Sequence, residues 1–176
     1  MTRKEFFNKY YNFALAATQN SGLSPLLILA QAYLESGAGK SLLATKYNNF
    51  FGVKATKNWQ GKTVRLITKE QNKQGIERKE YAIFKVHQSP ADSFTEQIKF
   101  LKANPRYTRA GLFTYPNNWQ KQAETLQKAG YATDINYSNK LKELGARFIE
   151  IIQGAPSGLT PAIPLVLLFL LAKKFF

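Results

Sequence analysis

The stretch LAQAYLESGAGKS, residues 29–41, is an apolar helical run that carries one carboxylate and then changes abruptly into small residues and glycines. Ser24 followed by Pro25 marks the start of this helix, since proline is favoured at the first helical position. A helix that is apolar on all sides is expected to lie in the core. The carboxylate at its end, Glu35, is expensive to remove from water, so it needs a hydrogen-bonding partner or a chemical function.

The composition favours one domain of ordinary size. The 176 residues are 44% hydrophobic and 14% aromatic, which is enough to form one core. The composition also lacks the bias in residue types that marks disordered or fibrous chains. The chain has no cysteine, which excludes a disulfide framework and thiolate catalysis. His87 is the only histidine, which excludes a zinc site built on two or three histidines. We expect neither a metal nor an organic cofactor.

The chain is strongly basic, with 25 lysines and arginines against 11 acidic residues and a net charge of +14. Such an excess favours an anionic partner, for example nucleic acid, acidic lipid or the bacterial cell wall. The cations are scattered along the chain, without a dense block or a recognisable nucleic-acid motif. We therefore expect a solvated basic surface and no nucleic-acid partner.

The pattern along the chain predicts a mainly helical α+β fold with one small β-lobe. Thr2 and Glu5 form a capping box for a first helix, and further helices are predicted to start at Ser89 and Asn118. The segments KTVRLIT and YAIFKV alternate between apolar and polar residues, and a polar loop with a glycine separates them. This pattern predicts a β-hairpin at residues 62–86.

The composition changes near the carboxyl end. Residues 1–153 read as one domain, residues 154–161 (GAPSGLTP) as a linker, and residues 162–176 (AIPLVLLFLLAKKFF) as a hydrophobic tail. A helix over residues 164–176 would be only about 20 Å long, too short for a hydrocarbon core of about 30 Å, whereas counting from Leu159 gives about 18 residues, near the lower limit for spanning. Attachment to a membrane or hydrophobic partner is favoured over docking on the core. The amino-terminal segment lacks the apolar run of a signal peptide, so delivery to a periplasmic or external wall is expected by another route, such as a virion.

Most of the eleven carboxylates have a simple structural interpretation. Helix caps, polar faces of amphipathic helices or the charged hairpin loop account for Glu5, Glu77, Glu80, Asp92, Glu96, Glu124, Asp134, Glu143 and Glu150. Among these, Glu96 is expected on a solvated face and Asp134 as an N-cap of the last helix. Glu35 and Glu70 remain.

Two carboxylates in contrasting environments are what hydrolysis of a glycosidic bond requires. Apolar neighbours and the negative end of the helix dipole should raise the pKa of Glu35, which suits a proton donor. Glu70, beside a loop rich in lysine and glutamine, should stay ionised. The structural alternative for Glu35 is a carboxylate satisfied by backbone amides of the following turn.

Several motifs together carry a resemblance to a known family. LAQAYLESGAGKS, YNNFFGVKA, WQGKTVRLITKE, YAIFKVHQSPADSFTEQIKFL and AGYATDINYSNKL occur in order over residues 5–152. The chain resembles the bacterial N-acetylglucosaminidases of glycoside hydrolase family 73, which include flagellar peptidoglycan hydrolase domains, autolysins and phage lysins. The tail lies outside the resemblance.

The resemblance implies a lysozyme-like helical fold with a β-hairpin lobe. It also implies cleavage of the β-1,4 bond between N-acetylglucosamine and N-acetylmuramic acid in the glycan strands of peptidoglycan. Glu35 matches the general acid of the family, Glu70 its second acidic residue, and Tyr131 a tyrosine near the reacting sugar.

Further residues of the same motifs are implied to bind substrate. They are Asn49, Phe51, Gly52 and Tyr137, and packing in the core is the alternative for Tyr137. The chain departs from the family at Ala38, where a tryptophan is usual, and at His87, where an aromatic residue is usual.

Two other functions fit the same sequence. A lytic transglycosylase shares the architecture and leaves an anhydro-sugar end, and a catalytically silent wall-binding or virion module would bind without cutting. The hydrolytic route also stays open between an inverting pair, a retaining pair and assistance by the 2-acetamido group of the substrate.

Overall fold

The computed structural model describes residues 1–71, 77–116 and 118–154 of the chain. Seven helices and one antiparallel hairpin are assigned in this part. In chain order they are α1 (Arg3–Thr18), α2 (Pro25–Glu35), α3 (Leu42–Tyr47), β1 (Thr63–Gln71), β2 (Glu77–Lys85), α4 (Pro90–Ala103), α5 (Pro105–Arg109), α6 (Trp119–Lys128) and α7 (Tyr137–Gln153). The predicted fold, mainly helical with a small β-lobe, is confirmed.

Helix α2 is the centre of the helical body. Its residues from Leu26 to Ala32 are buried, and α1, α6 and α7 pack around it. Pro25 occupies the first helical position, where its missing N–H leaves no hydrogen bond unmade. The prediction that this apolar helix lies in the core is confirmed.

Aromatic side chains fill the space between α1, α4 and the segment after α3. The ring centroids of Tyr10 and Phe50 lie 4.7 Å apart, and those of Phe50 and Phe94 lie 5.8 Å apart. Phe6 packs on Tyr10 from the same helix, at 4.7 Å. Edge-on and tilted contacts of this kind add to the free energy gained by burying the rings.

Local capping signals in the sequence mark the starts of α1, α4 and α6 correctly, the last through Asn118, whose side chain accepts the N–H of Lys121. The predicted box of Thr2 and Glu5 is present on α1, and Ser89 forms a second box with Asp92 on α4. The prediction for Asp134 is wrong. Helix α7 begins only at Tyr137, and the carboxylate of Asp134 instead accepts the N–H of Asn136 at 2.8 Å.

The hairpin pairs β1 with β2 from Thr63 opposite Lys85 to Gln71 opposite Glu77. Its base is tied to the helical body by Lys85, which forms an ion pair with Glu96 of α4. The prediction that Glu96 is a solvated surface residue is wrong, because its side chain is only 19% exposed and is paired with Lys85 of β2. The Nζ of Lys85 also lies 4.2 Å from the ring centroid of Trp59.

Two short helices, α3 and α5, were not predicted. Their six and five residues are too few to show an amphipathic period. A proline opens α5, and the hydroxyl of Ser41 caps α3 by accepting the N–H of Ala44 at 3.2 Å.

The linker and tail predicted for residues 154–161 and 162–176 lie outside the described residues from residue 155 onward, so both remain predictions. Within the described ranges, no helix is long and apolar enough to cross a bilayer.

The close contact between α6 and α7 gives a stability prediction. A Cβ added at Gly145 would lie 2.6 Å from Cζ3 of Trp119, whose side chain is buried. Overpacking of about 1–3 kcal/mol should outweigh the gain of about 1 kcal/mol in helix propensity, because the rigid indole has little room to move. We expect Gly145→Ala to lower the free energy of unfolding by up to about 2 kcal/mol, measured by urea denaturation. Ala146→Ser, at the next and exposed position, is the control, and a Gly145→Ala protein as stable as wild type would contradict the prediction.

Candidate active site

Glu35 is the last residue of α2, and the chain turns away from the helix directly after it. Gly37, Ala38 and Gly39 have successive φ values of 57°, 59° and 73°. The Oγ of Ser36 stabilises this left-handed turn by accepting the N–H of Gly39 at 2.7 Å. Because the chain turns away from α2 directly after Glu35, the side chain of Glu35 stays exposed to solvent at the end of a buried helix.

The surroundings of the Glu35 carboxyl favour its neutral form. Burial by neighbouring protein atoms raises its pKa, and a hydrogen bond from Tyr137 opposes part of that rise. The side chain is nevertheless open to solvent on one side, so the carboxyl is both partly desolvated and reachable from outside. Those are the two properties that a proton donor to an external substrate needs.

Tyr137, the first residue of α7, makes the direct contact with this carboxyl. Its hydroxyl donates a hydrogen bond of 2.7 Å to Oε1 of Glu35 and accepts one of 3.2 Å from Nε2 of Gln31. The side chain is 3% exposed, so it lies behind the carboxyl. Tyr137 is therefore packed in the core, as the alternative prediction for it states. Its contact with a sugar stays a prediction.

Tyr131 lies beside Tyr137 in the same site. The two rings stack with centroids 5.4 Å apart and planes 24° apart, and the Tyr131 hydroxyl accepts a hydrogen bond of 3.1 Å from Nε2 of Gln97. Burial, and secondarily the charge of Glu35, raise the pKa of Tyr131, so its hydroxyl stays protonated. The structure thus brings together three predicted site residues from α2, α7 and the segment before α7.

The predicted substrate-binding segment after α3 is held mainly by internal contacts. The amide of Asn49 is 1% exposed and donates to the carbonyls of Val53 at 3.0 Å and Lys85 at 2.9 Å. Phe51 is buried against α4, while Gly52, at φ 60°, has open space where a Cβ would point. These contacts fix the shape of the segment, and its binding of a sugar stays a prediction.

Glu70 is placed only through its backbone. It is the penultimate residue of β1 and pairs with Arg78 across the hairpin. Its side chain lies outside the description, so its role as the second carboxylate stays a prediction. Within the described part of the chain, no cluster of histidine or acidic side chains is suited to hold a metal ion.

Residues 11–149 match the family described as glucosaminidase, mannosyl-glycoprotein endo-beta-N-acetylglucosaminidase. The chain belongs to this glucosaminidase family. The resemblance carried by the sequence motifs is confirmed.

Similar proteins extend this result. The chain is 32% identical over 162 residues to the peptidoglycan hydrolase FlgJ of Vibrio cholerae, covering 90% of this chain and 48% of that protein. The glycoside hydrolase domain of Salmonella typhimurium FlgJ superposes with a TM-score of 0.71 at 33% identity, over 87% of this chain and 92% of that one. The catalytic domain of the autolysin Auto from Listeria monocytogenes superposes with a TM-score of 0.74 at 26% identity, over 87% and 88%. The chain spans about half the length of the curated relatives it matches.

Two residues of the site were not predicted from the sequence. Gln31 and Gln97 are both 0% exposed, and each donates an amide N–H to one of the site tyrosines. A signal for Gln31 was present, because a polar residue inside a helix that is otherwise apolar needs a buried partner. Gln97 gave no such signal, since α4 is amphipathic and tolerates glutamine on its polar face.

The raised pKa of Glu35 gives a pH-dependent stability prediction. The folded protein holds the Glu35 proton more tightly than the unfolded chain, so this stabilisation is present at acid pH. It is lost as pH rises from the ordinary value of 4.5 through the folded pKa. Gln cannot ionise and still offers an oxygen to Tyr137. We therefore expect Glu35→Gln to melt at a higher temperature than wild type at neutral pH, with the difference shrinking towards acid pH.

The measurement is a series of thermal melts across that pH range. Glu143→Gln, at an exposed position of α7, is the matched control, and its difference from wild type should not grow with pH in the same way. A Glu35→Gln protein that is less stable than wild type at neutral pH would contradict the raised pKa.

Proposed function

We propose that the chain is a peptidoglycan hydrolase that cleaves the β-1,4 bond between N-acetylglucosamine and N-acetylmuramic acid. Membership of the glucosaminidase family supports the class of bond. The names of the FlgJ relatives, which are peptidoglycan hydrolases, support peptidoglycan as the polymer that is cleaved. The observation that carries the proposal is a solvent-accessible carboxyl at the end of a buried helix, with a raised pKa and a tyrosine hydroxyl on one of its oxygens.

Glu35 is the general acid in this proposal. Its neutral carboxyl donates a proton to the glycosidic oxygen while the bond from that oxygen to C1 of N-acetylglucosamine breaks. The leaving sugar departs with a neutral hydroxyl, and Glu35 is left as a carboxylate that still accepts the hydrogen bond from Tyr137. The net charge of +14 suits a polymer whose peptide stems carry carboxylates.

Glu70 is the proposed counterpart to Glu35. As a carboxylate it would activate water, form a glycosyl intermediate or steady the 2-acetamido group of the substrate. Inverting pairs lie roughly 6.5–9.5 Å apart and retaining pairs roughly 5–5.5 Å apart. The position of Glu70 near the end of β1 supports a role that depends on how the hairpin sits over the substrate.

The proposal predicts the loss of wall cleavage in Glu35→Gln. Removing a general acid typically lowers the rate by about 10²–10⁴-fold, and the amide keeps the shape of the side chain while it has no proton to transfer. The measurement is release of reducing ends from purified peptidoglycan, with the new ends identified by mass spectrometry. Wild type and the control Glu143→Gln should release N-acetylglucosamine ends at similar rates.

The products separate the proposal from its rivals. Anhydro-muramic ends would identify a lytic transglycosylase, and muramic acid ends a muramidase. Binding to peptidoglycan without any new ends would identify a silent wall-binding or virion module. Wild-type rates in Glu35→Gln would reject Glu35 as the acid.

We also propose that residues 162–176 attach the enzyme to a membrane, which fits a lysin that acts in wall penetration or lysis. The support is the sequence, in which six large aliphatic residues occur almost consecutively before Lys173 and Lys174. Deleting residues 159–176 should abolish flotation with liposomes and leave cleavage of purified peptidoglycan unchanged. Flotation that persists after the deletion would reject the anchor.

A further inference from the structure

Two buried glutamine amides lie behind the two tyrosine hydroxyls of the site. Nε2 of Gln31 is 3.2 Å from the hydroxyl of Tyr137, and Nε2 of Gln97 is 3.1 Å from that of Tyr131. Both glutamines are fully buried, and within the described residues Oε1 of each lacks a hydrogen-bond partner. Leaving a buried acceptor unpaired is costly, so the amide N–H must contribute something that an apolar side chain would not.

The contribution of Gln31 follows from the single proton of a tyrosine hydroxyl. When an N–H donates to the hydroxyl oxygen, the hydroxyl proton has to point towards another acceptor. For Tyr137 that acceptor is Oε1 of Glu35, at 2.7 Å. Gln31 lies one helical turn before Glu35 on α2, so one rigid helix holds both ends of the chain of hydrogen bonds.

We propose that Gln31 is a positioning residue for the proton transfer. By donating to Tyr137, Gln31 keeps the O–H bond of the tyrosine directed at Oε1 of Glu35. Because Oε1 accepts this hydrogen bond, the proton that Glu35 transfers is carried on Oε2. After the transfer, the same hydrogen bond stabilises the carboxylate that remains. This inference rests on the proposed function, in which Glu35 is the general acid.

The groups that can influence this arrangement are few within the described part of the chain. Tyr137 and Tyr131 are the titratable side chains that interact with Glu35, and both keep their protons because burial raises their pKa values. Arg106 and Tyr107 act on Tyr131, and the guanidinium of Arg106 donates to the Tyr107 hydroxyl at 2.7 Å. A change in the pH dependence of this site therefore reports on Glu35 itself.

The test is Gln31→Met, which keeps the length of the side chain and removes the amide. We expect kcat on purified peptidoglycan to fall about 5–10-fold with KM within about twofold, because the variant loses orientation and keeps binding. The alkaline limb of the kcat profile should move up by about half a pH unit to one pH unit, since the carboxylate loses part of its donor. In a Tyr137→Phe background, Gln31→Met should add no further shift.

Gln97→Met is the matched control. It removes the same kind of buried amide from Tyr131, whose hydroxyl makes no hydrogen bond to Glu35 in the described structure, so the alkaline limb should stay in place. An unmoved limb in Gln31→Met overturns the proposal. An equal shift in the Tyr137→Phe background also overturns it, because Gln31 would then act without the tyrosine.

If Gln31→Met does not fold, a measurement on the wild-type protein still tests the proposal. The side-chain ¹⁵N resonance of Gln31 should titrate with the carboxyl of Glu35, and this titration should disappear in Tyr137→Phe. A Gln31 resonance that does not respond to that titration overturns the proposed positioning of Glu35 by Gln31 through Tyr137. This readout needs no turnover, so it remains decisive if wild type releases no ends from peptidoglycan and the proposed function fails.

Discussion

An apolar helix that ends in a carboxylate is the constraint on which the rest of this structure depends. Helix α2 can be buried only if neighbours cover all its sides, and α1, α6 and α7 provide that cover. The same packing brings the start of α7 against the end of α2, so Tyr137 meets Glu35 across 102 residues of sequence. Burial raises the pKa of the carboxyl, and the left-handed turn after Ser36 keeps it open to solvent. The burial of α2 therefore both builds the core and sets the environment of the Glu35 carboxyl.

Features that local signals encode could be predicted from the sequence. The capping box of α1, the start of α4 at Ser89, the buried α2 and the alternating strands of the hairpin each follow from residues within one element. The environment of Glu35 also followed, because the apolar run before it and the glycines after it are adjacent in the chain. Helices α3 and α5 were missed since each is shorter than two full turns.

Contacts between distant elements could not be predicted in this way. The ion pair of Glu96 with Lys85 joins a helix to a strand, and the bond from Gln97 to Tyr131 joins residues 34 apart. Resemblance to the family selected Asn49 for substrate binding, whereas its described contacts all hold the backbone of the neighbouring segments. A family motif thus identifies which residues matter, and the structure is needed to show whether each touches substrate or supports a residue that does.

The attachment of the hairpin at its base has a mechanical consequence. Its two nine-residue strands pack chiefly on each other, and each would extend about 30 Å at roughly 3.3 Å per residue. Lys85 contacts Trp59 and Glu96 at one end of the hairpin, and Glu70 lies near the other end. A rotation of the hairpin by about 10° about the end at Lys85 would displace the far end by about 5 Å, as much as the whole separation of a retaining carboxylate pair. The rigidity of the contacts around Lys85 would therefore set how accurately Glu70, the proposed second carboxylate, is aimed.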